Sequence, residues 1–145
     1  MPRYAMQTAM RAAAVDFMED YGASASLKLQ VYPARPRSIF PPTMFVDDLS
    51  ETTTYDGLLQ RHPTADLIVV FGIFDSLEAA NQRDAFVDGF WDWVADNFHG
   101  AGSNTGIWVA AVEDIPDYVP DWMPPAEQKT YYASRITLEG LSLTG

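Results

Sequence analysis

The chain has no cysteine, and its longest uninterrupted apolar run is eight residues. Without cysteine it can form neither a disulfide framework nor a cysteine-based metal site. A helix that crosses a bilayer needs about 20 apolar residues, so the sequence predicts no transmembrane segment. The opening residues, Met1-Pro2-Arg3-Tyr4, are typical of an amphipathic helix and not of a basic-then-apolar signal peptide, so we expect none.

Positive charge is also scarce. Nine lysines and arginines, only two of them lysines, stand against twenty acidic residues, and the net charge is −11. A phosphate backbone is repelled by such a surface, so we expect no stable binding of DNA or RNA. The length of 145 residues predicts one domain, 1–145, that is large enough to bury its own core.

Sequence motifs of common catalytic sites are absent too. There is no Gly-x-Ser-x-Gly elbow, no phosphate loop and no dinucleotide glycine fingerprint. His62 and His99 have no ligand-like partner three or four residues away, so we expect no metal site. Carboxylate pairs such as Asp47-Asp48 and Glu113-Asp114 are expected by chance in a chain this acidic. The sequence therefore indicates neither an enzyme nor a cofactor.

The stretch from Leu67 to Phe98 predicts the centre of the fold. Leu67–Phe74 is the eight-residue apolar run, which is typical of a strand covered on both faces. Asp75 and Glu78 then form a capping box that begins a long helix. The helix is predicted to end at Gly100 and to bury one stripe of side chains: Val87, Phe90, Trp91, Val94 and Phe98.

The long helix has two unusual features. Gly89 lies inside it at a cost of about 1 kcal/mol relative to alanine, which predicts that another group packs closely there. Aspartates also recur every four residues, and like charges at this spacing repel each other. The simpler interpretation of this row is a solvated acidic face, and the alternative is a row that faces a channel or a partner. Its members are Asp84, Asp88, Asp92 and Asp96.

The remaining elements follow from periodicity and turn residues. Tyr4–Tyr21 has apolar residues at steps of three and four and predicts a helix. Residues 61–64 and 113–128 are interpreted as irregular because of their prolines. Asp56-Gly57 predicts a turn, and strands are predicted at Leu27–Tyr32, Met44–Val46, Thr52–Tyr55, Ile107–Val112 and Tyr131–Glu139.

This order of elements predicts an α+β fold, with a mostly antiparallel four- to five-stranded sheet and two helices packed on one face. Two helices can cover only one face of a sheet, yet the central strand is apolar on both. Either the sheet curls over itself or another subunit covers the second face.

Two loops, Arg35–Phe45 and Ile115–Pro125, combine proline with aromatic residues and arginine. Proline reduces the entropy that a loop loses on docking, and tryptophan, tyrosine and arginine are frequent interface anchors. The simpler interpretation is that these loops fold back on their own sheet. We favour protein–protein contact, with these candidate contact residues: Arg35, Arg37, Ile39, Phe40, Tyr118, Trp122 and Met123.

Taken together, these features resemble the tail terminator (tail completion) proteins of long-tailed bacteriophages, especially those that infect actinobacteria. The similarity runs over most of the chain and includes the opening helix and the long acidic helix. The residues that carry it are Val31-Tyr32-Pro33, Arg35-Pro36, Pro41-Pro42, Phe45-Val46, Gly72, Asp75 and Tyr131-Tyr132-Ala133-Ser134.

The resemblance implies a protomer of a hexameric ring in the neck of a virion, assembled in the host cytoplasm. Such a ring ends growth of the tail tube and joins the tail to the head connector. The implied partners are copies of the chain, the tail tube protein and a connector or stopper protein, with no membrane. DNA passes through the pore without being bound, so the row from Asp84 to Asp96 is expected to face the lumen.

Two alternatives remain. The first alternative is another role in the neck, because head-tail stoppers and head completion proteins share the size and acidity of this chain. The second is a ligand-binding or enzymatic α+β domain, in which the same loops would form a pocket. A ring of six copies favours the assembly protein, whereas a monomer or dimer with a closed pocket favours the ligand-binding domain.

Overall fold

The structure, a computed structural model, describes residues 8, 10–12, 14–16, 18–19, 21, 30–73, 77–97, 107–140 and 142–144. The described residues between 8 and 21 are helical and form α1. The elements that follow are β1 (Gln30–Tyr32), β2 (Thr43–Tyr55), β3 (Leu59–Ile73), α2 (Leu77–Asn97), β4 (Ile107–Tyr118), a 3₁₀ turn (Pro125–Glu127), β5 (Tyr131–Gly140) and β6 (Ser142–Thr144).

The strands form one sheet in the order β1-β2-β3-β5-β4. Its neighbouring strands are antiparallel except for β1, which runs parallel to β2. The short β6 pairs with Leu59–Arg61 of β3, beyond the end of β5. The predicted α+β fold, with a mostly antiparallel sheet contacted by two helices, is therefore confirmed.

Both helices contribute buried apolar residues to one cluster on one face of the sheet. From α1 the cluster takes Met10, Ala14, Met18 and Tyr21, which recur every three or four residues, as one helix face requires. Ala79, Phe86 and Phe90 of α2 join them, together with side chains of the sheet that include Leu67, Val69 and Phe71.

The opposite face of the sheet is covered by the chain's own loops. Ile68 and Val70 alternate with the residues that face the helices and form a second cluster with Phe45. Ile39 and Met123, one from each proline-rich loop, are buried in this cluster. The central strand is apolar on both faces because helices cover one face and loops the other, so the sheet needs no second subunit to cover it.

The predicted buried stripe of α2 is wrong at Trp91, whose side chain is 45% exposed. Phe86 lies in the buried stripe instead, and Phe90 is buried as predicted. Phe86 and Phe90 are four residues apart, and the adjacent Trp91 turns about 100° away from that line. The side chains of Val94 and Phe98 lie outside the described part of the chain.

Residues 61–64, interpreted from sequence as a loop, belong to β3. The reason that Pro63 does not break the strand is its position. β5 pairs with β3 only as far as Thr64, and β6 begins its pairing at Arg61, so Pro63 lies between the two paired stretches. Proline has no backbone N–H, so a strand tolerates it at a position where no neighbouring strand needs a hydrogen bond from that N–H.

The predicted irregular segment 113–128 is also partly strand, because β4 continues to Tyr118. β4 is an end strand of the sheet, and the register shifts between Ile115 and Tyr118, around Pro116. Edge strands and bulges are the places where a sheet accepts proline. The predicted burial of 107–112 is wrong at Ala110 and Ala111, which are exposed, whereas Val109 and Val112 are partly buried against the first cluster.

The other strand predictions agree more closely with the structure. β5 corresponds to the predicted closing strand, and the two predicted segments at 44–46 and 52–55 are parts of the continuous β2. The predicted turn at Asp56-Gly57 is confirmed, since Gly57 adopts a positive φ of 72° between β2 and β3. The predicted helix cap at Asp75, the helix end at Gly100 and the strand residues 27–29 lie outside the described residues.

Candidate functional site

The first candidate surface is the loop face, which we define as residues 33–42 and 119–130 on the side of the sheet opposite the helices. Arg35 is fixed at its centre, because its Nε donates a hydrogen bond of 2.7 Å to Oδ1 of Asp47 on β2. Its guanidinium also lies over the ring of Trp122, 5.8 Å from the centroid, at a distance typical of a cation–π contact. The two loops are thus joined through Arg35.

Trp122 connects the loop face to the sheet beneath it. Its ring meets Phe45 edge-to-face, with centroids 5.7 Å apart, and its indole N–H donates to the hydroxyl of Tyr118 at 3.4 Å. The second loop is also held by Gln128, whose side-chain amide donates to the carbonyl of Met123 at 2.8 Å. These contacts make the loop face an ordered surface.

The electrostatics of this surface agree with its packing. The hydrogen bond that Arg35 donates to Asp47 raises the pKa of Arg35 above its ordinary value, so the guanidinium stays charged. Burial raises the pKa of the Tyr118 hydroxyl, which therefore stays neutral and available as a hydrogen-bond partner. Neither shift generates a catalytic acid or base near neutral pH.

The seven candidate contact residues divide into two groups. Ile39 and Met123 are 8% and 5% exposed and pack inside the chain, and Tyr118 and Trp122 are half-buried beside them. Arg35, Arg37 and Phe40 are exposed, and the Phe40 side chain is 66% exposed. Ile39 and Met123 fit the simpler interpretation, in which the loops fold back on their own sheet. The three exposed residues and the half-buried rings of Tyr118 and Trp122 are the ones that offer surface to a partner.

A furrow runs between the two loops. It consists of two grooves of about 480 and 330 Å³ that share Ser38, Met123 and Glu127. Arg35, Arg37 and Trp122 line the larger groove, and Phe40, Lys129 and Tyr131 are among the residues that line the smaller one. The furrow therefore combines apolar walls with three cationic side chains.

The predicted acidic row lies on α2, on the side of the sheet opposite the furrow. Asp84, Asp88 and Asp92 are exposed, whereas the side chain of Asp96 lies outside the described residues. Asp84 is 3.3 Å from Arg83, and Arg83 in turn lies 3.9 Å from Asp114 of β4. The row thus faces away from the sheet, with Arg83 between it and β4.

The second candidate surface was not anticipated from the sequence: the tip of the β2–β3 hairpin. Tyr55 is the last residue of β2 and is 77% exposed, the largest value among the large hydrophobic residues whose burial the structure describes. The signal in the sequence was the Tyr55-Asp56-Gly57 run, which places an aromatic residue directly at a turn. The sequence predicts a strand that ends at Tyr55 and a turn at Asp56-Gly57, and neither prediction includes a contact role.

The described residues hold no group of three or more histidine, aspartate or glutamate side chains placed to bind a metal ion. His62 lies within β3 opposite Thr52, and His99 is outside the described part of the chain. No helix among the described residues is both long enough and apolar enough to span a bilayer.

Comparisons with known proteins leave the family open. No model of a known protein family matches the chain, and no curated protein matches it either. Function is therefore argued from the two surfaces above and from the sequence pattern.

Proposed function

We propose that this protein is a structural component of a phage tail, a terminator that forms a ring of six copies on the end of the tail tube. In this role it ends tube elongation and presents a surface to the head-tail connector. It works by shape and contact and carries out no reaction. The pattern of elements and loop composition described above is the basis of the family assignment.

The observation that supports the proposal is the separation of two unlike exposed surfaces. The loop face lies beside the start of β2 and the hairpin tip lies at its end. Contacts between unlike patches are heterologous, and repeated heterologous contacts close into rings when the rotation between copies allows it. Ring formation therefore requires surfaces of this kind, whereas a twofold dimer uses one patch twice.

The acidic character supports the same role. A chain with a net charge of −11 and exposed Asp84, Asp88 and Asp92 along one helix repels DNA. We propose that this row, continued by Asp96, faces the pore of the ring, where repulsion keeps passing DNA from adhering. A structure of the assembled ring with α2 on its outer wall would contradict this placement.

Elongation of the tail tube tests the proposed function. Purified tail tube protein is polymerised with and without this chain, and tube lengths are measured by negative-stain microscopy. We expect shorter tubes of narrower length distribution, because a capped end adds no further rings. An unchanged length distribution at saturating amounts of the chain would argue against a terminator, and binding to the connector alone would favour another neck role.

A ligand-binding role is the second candidate, and the furrow is the observation that favours it. Its larger groove of about 480 Å³ falls within the range of small-molecule sites, and Arg35 and Trp122 supply a cation and an aromatic wall. A thermal-shift screen of acidic small molecules distinguishes this role. A saturable stabilisation that Arg37→Ala abolishes would favour ligand binding over assembly.

A further inference from the structure

The hairpin tip is a short turn in which Tyr55, Asp56 and Gly57 are exposed. Tyr55, the last residue of β2, pairs with Leu59, the first residue of β3, and the N–H of Asp56 donates to the carbonyl of Leu58 at 3.3 Å. Gly57 takes the left-handed conformation that a tight turn requires. The tip therefore offers an exposed aromatic ring and an adjacent carboxylate on a short, ordered turn.

The furrow on the loop face has the complementary chemistry. Three of the chain's nine lysines and arginines line it, and among the described residues that line it Glu127 is the one acidic residue. Arg35 is already bonded to Asp47, but within the described part of the chain Arg37 has no ion pair. The ring of Phe40 adds an exposed apolar wall.

The tip carries the opposite charge. Within the same described part of the chain, the carboxylate of Asp56 has no ion pair. The ring of Tyr55 lies beside it, and Tyr55 is the most exposed of the large hydrophobic residues whose burial the structure describes. Such a ring is stabilised when it leaves water for an apolar groove.

A molecule cannot bring its own tip to its own furrow. Asp47 lies beside the furrow through its bond to Arg35, and Tyr55 is eight residues further along the same strand. At about 3.3 Å per residue, an extended strand of this length spans about 26 Å, several times the length of a side chain. Contact between the two surfaces must therefore join two copies of the chain.

We propose that the hairpin tip of one copy docks in the furrow of the next copy. Tyr55 packs against Phe40 in the smaller groove, and the carboxylate of Asp56 pairs with Arg37 in the adjoining larger groove. This contact rests on the proposed ring assembly and names the surfaces that carry it. It is heterologous, so each copy gives its tip to one neighbour and receives the tip of the other.

Site-directed disulfide cross-linking tests this contact directly, because the chain has no cysteine of its own. Asp56→Cys and Ser38→Cys chains, each purified separately, are mixed at concentrations up to about 1 mM and oxidised, with and without tail tubes. We expect a covalent dimer from the mixed pair, since Ser38 lines both grooves of the furrow. A chain with both substitutions is expected to give a ladder of higher multimers.

The control pairs Asp56→Cys with Asp92→Cys, because Asp92 is exposed on the helix side of the sheet. We expect at least a tenfold lower yield of cross-linked dimer from this pair, as an order-of-magnitude difference between contact and random collision. Equal yields from the two pairs, or no dimer from either, would overturn the proposal. Cross-linking of Ser38→Cys to the tail tube protein in place of a second copy would overturn it as well.

Charge exchange provides an independent test. Arg37→Glu and Asp56→Arg should each weaken self-association about tenfold, because each places like charges opposite one another. The double variant should recover most of the loss, and circular dichroism checks that every variant is folded. Failure of the double variant to recover association would contradict the Asp56–Arg37 pairing.

These experiments separate the contact from the proposed function. If the chain caps tail tubes but the tip and furrow do not cross-link, the contact is wrong and the function stands. If they cross-link but tubes elongate normally, the contact stands and the terminator function is wrong. If neither occurs, both are wrong.

Discussion

At the scale of single residues, Tyr21 and Gly89 explain how the two helices are held together. The hydroxyl of Tyr21 on α1 donates a hydrogen bond of 2.6 Å to the carbonyl of Phe86 on α2. A Cβ added at Gly89 would lie 3.1 Å from that hydroxyl. The close neighbour predicted from a glycine inside a helix is thus confirmed, although the sequence alone did not identify it as Tyr21.

Tyr21→Phe should lower the free energy of unfolding by about 1 kcal/mol, because it removes the hydrogen bond and keeps the ring. The ring contacts with Phe86 and Phe90, at centroid distances of 4.8 and 5.3 Å, should persist. Urea unfolding measures the change. The matched control is Tyr55→Phe, whose exposed hydroxyl should contribute almost nothing, and equal losses in both variants would contradict the account.

The same tyrosine should make stability depend on pH in alkaline solution. Burial raises the pKa of Tyr21 to about 12 in the folded chain, whereas an unfolded tyrosine has a pKa of about 10. Between these values the unfolded chain releases the proton and the folded chain keeps it, so stability is full below pH 10 and falls as pH rises towards 12.

We therefore expect the stability advantage of the wild-type chain over Tyr21→Phe to shrink across that window and then to reverse, because a loss of up to about 1.4 kcal/mol per pH unit exceeds the initial advantage. Tyr118 and Tyr131 also have pKa values raised by burial, so both chains should lose some stability. The comparison by urea unfolding at pH 9 to 12 isolates Tyr21. An advantage that stays constant with pH would contradict the assignment.

At the scale of elements, the contact between α2 and β3 depends on small residues. A Cβ added at Gly72 would lie 2.7 Å from the Cβ of Ala79, closer than two carbons can pack. Gly72 also follows the register shift in β3 opposite β5. The first turn of α2 therefore rests on the end of the central strand at the position of Gly72.

Gly72→Ala should destabilise the fold by about 1 to 3 kcal/mol, because α2 must move away from the sheet. The loss should be smaller when the same change is made in an Ala79→Gly chain, where space is available. Chemical unfolding of the four chains of this cycle measures the coupling. Equal losses in both backgrounds would show that the two residues do not limit the approach of the helix.

Local sequence patterns (periodicity, one apolar run and the Asp-Gly turn residues) were enough to predict the helices, the central strand, the closing strand and the hairpin turn. It failed at Pro63 and Pro116, which were interpreted as loop residues but lie in strands. A sheet tolerates a proline only where no neighbouring strand needs an N–H donor at that position. Which positions these are depends on the strand order, and local sequence does not specify that order. The exposure of Ala110 and Ala111 was missed for the same reason, because the position of β4 at the end of the sheet follows from the strand order.

The sequence was enough to predict which loops form the candidate site, but not which of their side chains are exposed. The loops were identified from proline, tryptophan and arginine, yet Ile39 and Met123 turned out to be part of the chain's own second cluster. Apolar loop residues look alike in sequence whether they cover their own sheet or a partner's. The hairpin tip was missed because the exposure of Tyr55 follows from the length of β2 and β3.

At the scale of the whole molecule, surface chemistry should affect assembly more than folding. Arg35→Ala removes an exposed ion pair, so the free energy of unfolding should fall by less than about 1 kcal/mol. Self-association measured by sedimentation should weaken, because Arg35 joins the two loops that form the furrow. Arg135→Ala is the control, since it removes a similar pair with Glu113 and does not line the furrow. Equal association in wild type and Arg35→Ala would contradict a role for the furrow.

The central claim is that copies of this chain close into a ring at the end of a tail tube. Negative-stain microscopy of tail tubes mixed with the purified chain, carrying an electron-dense label, tests it most directly. We expect label at one end of each tube, with sixfold symmetry in end-on averages. Label distributed along the tubes, or tubes with bare ends at saturating amounts of the chain, would contradict the claim.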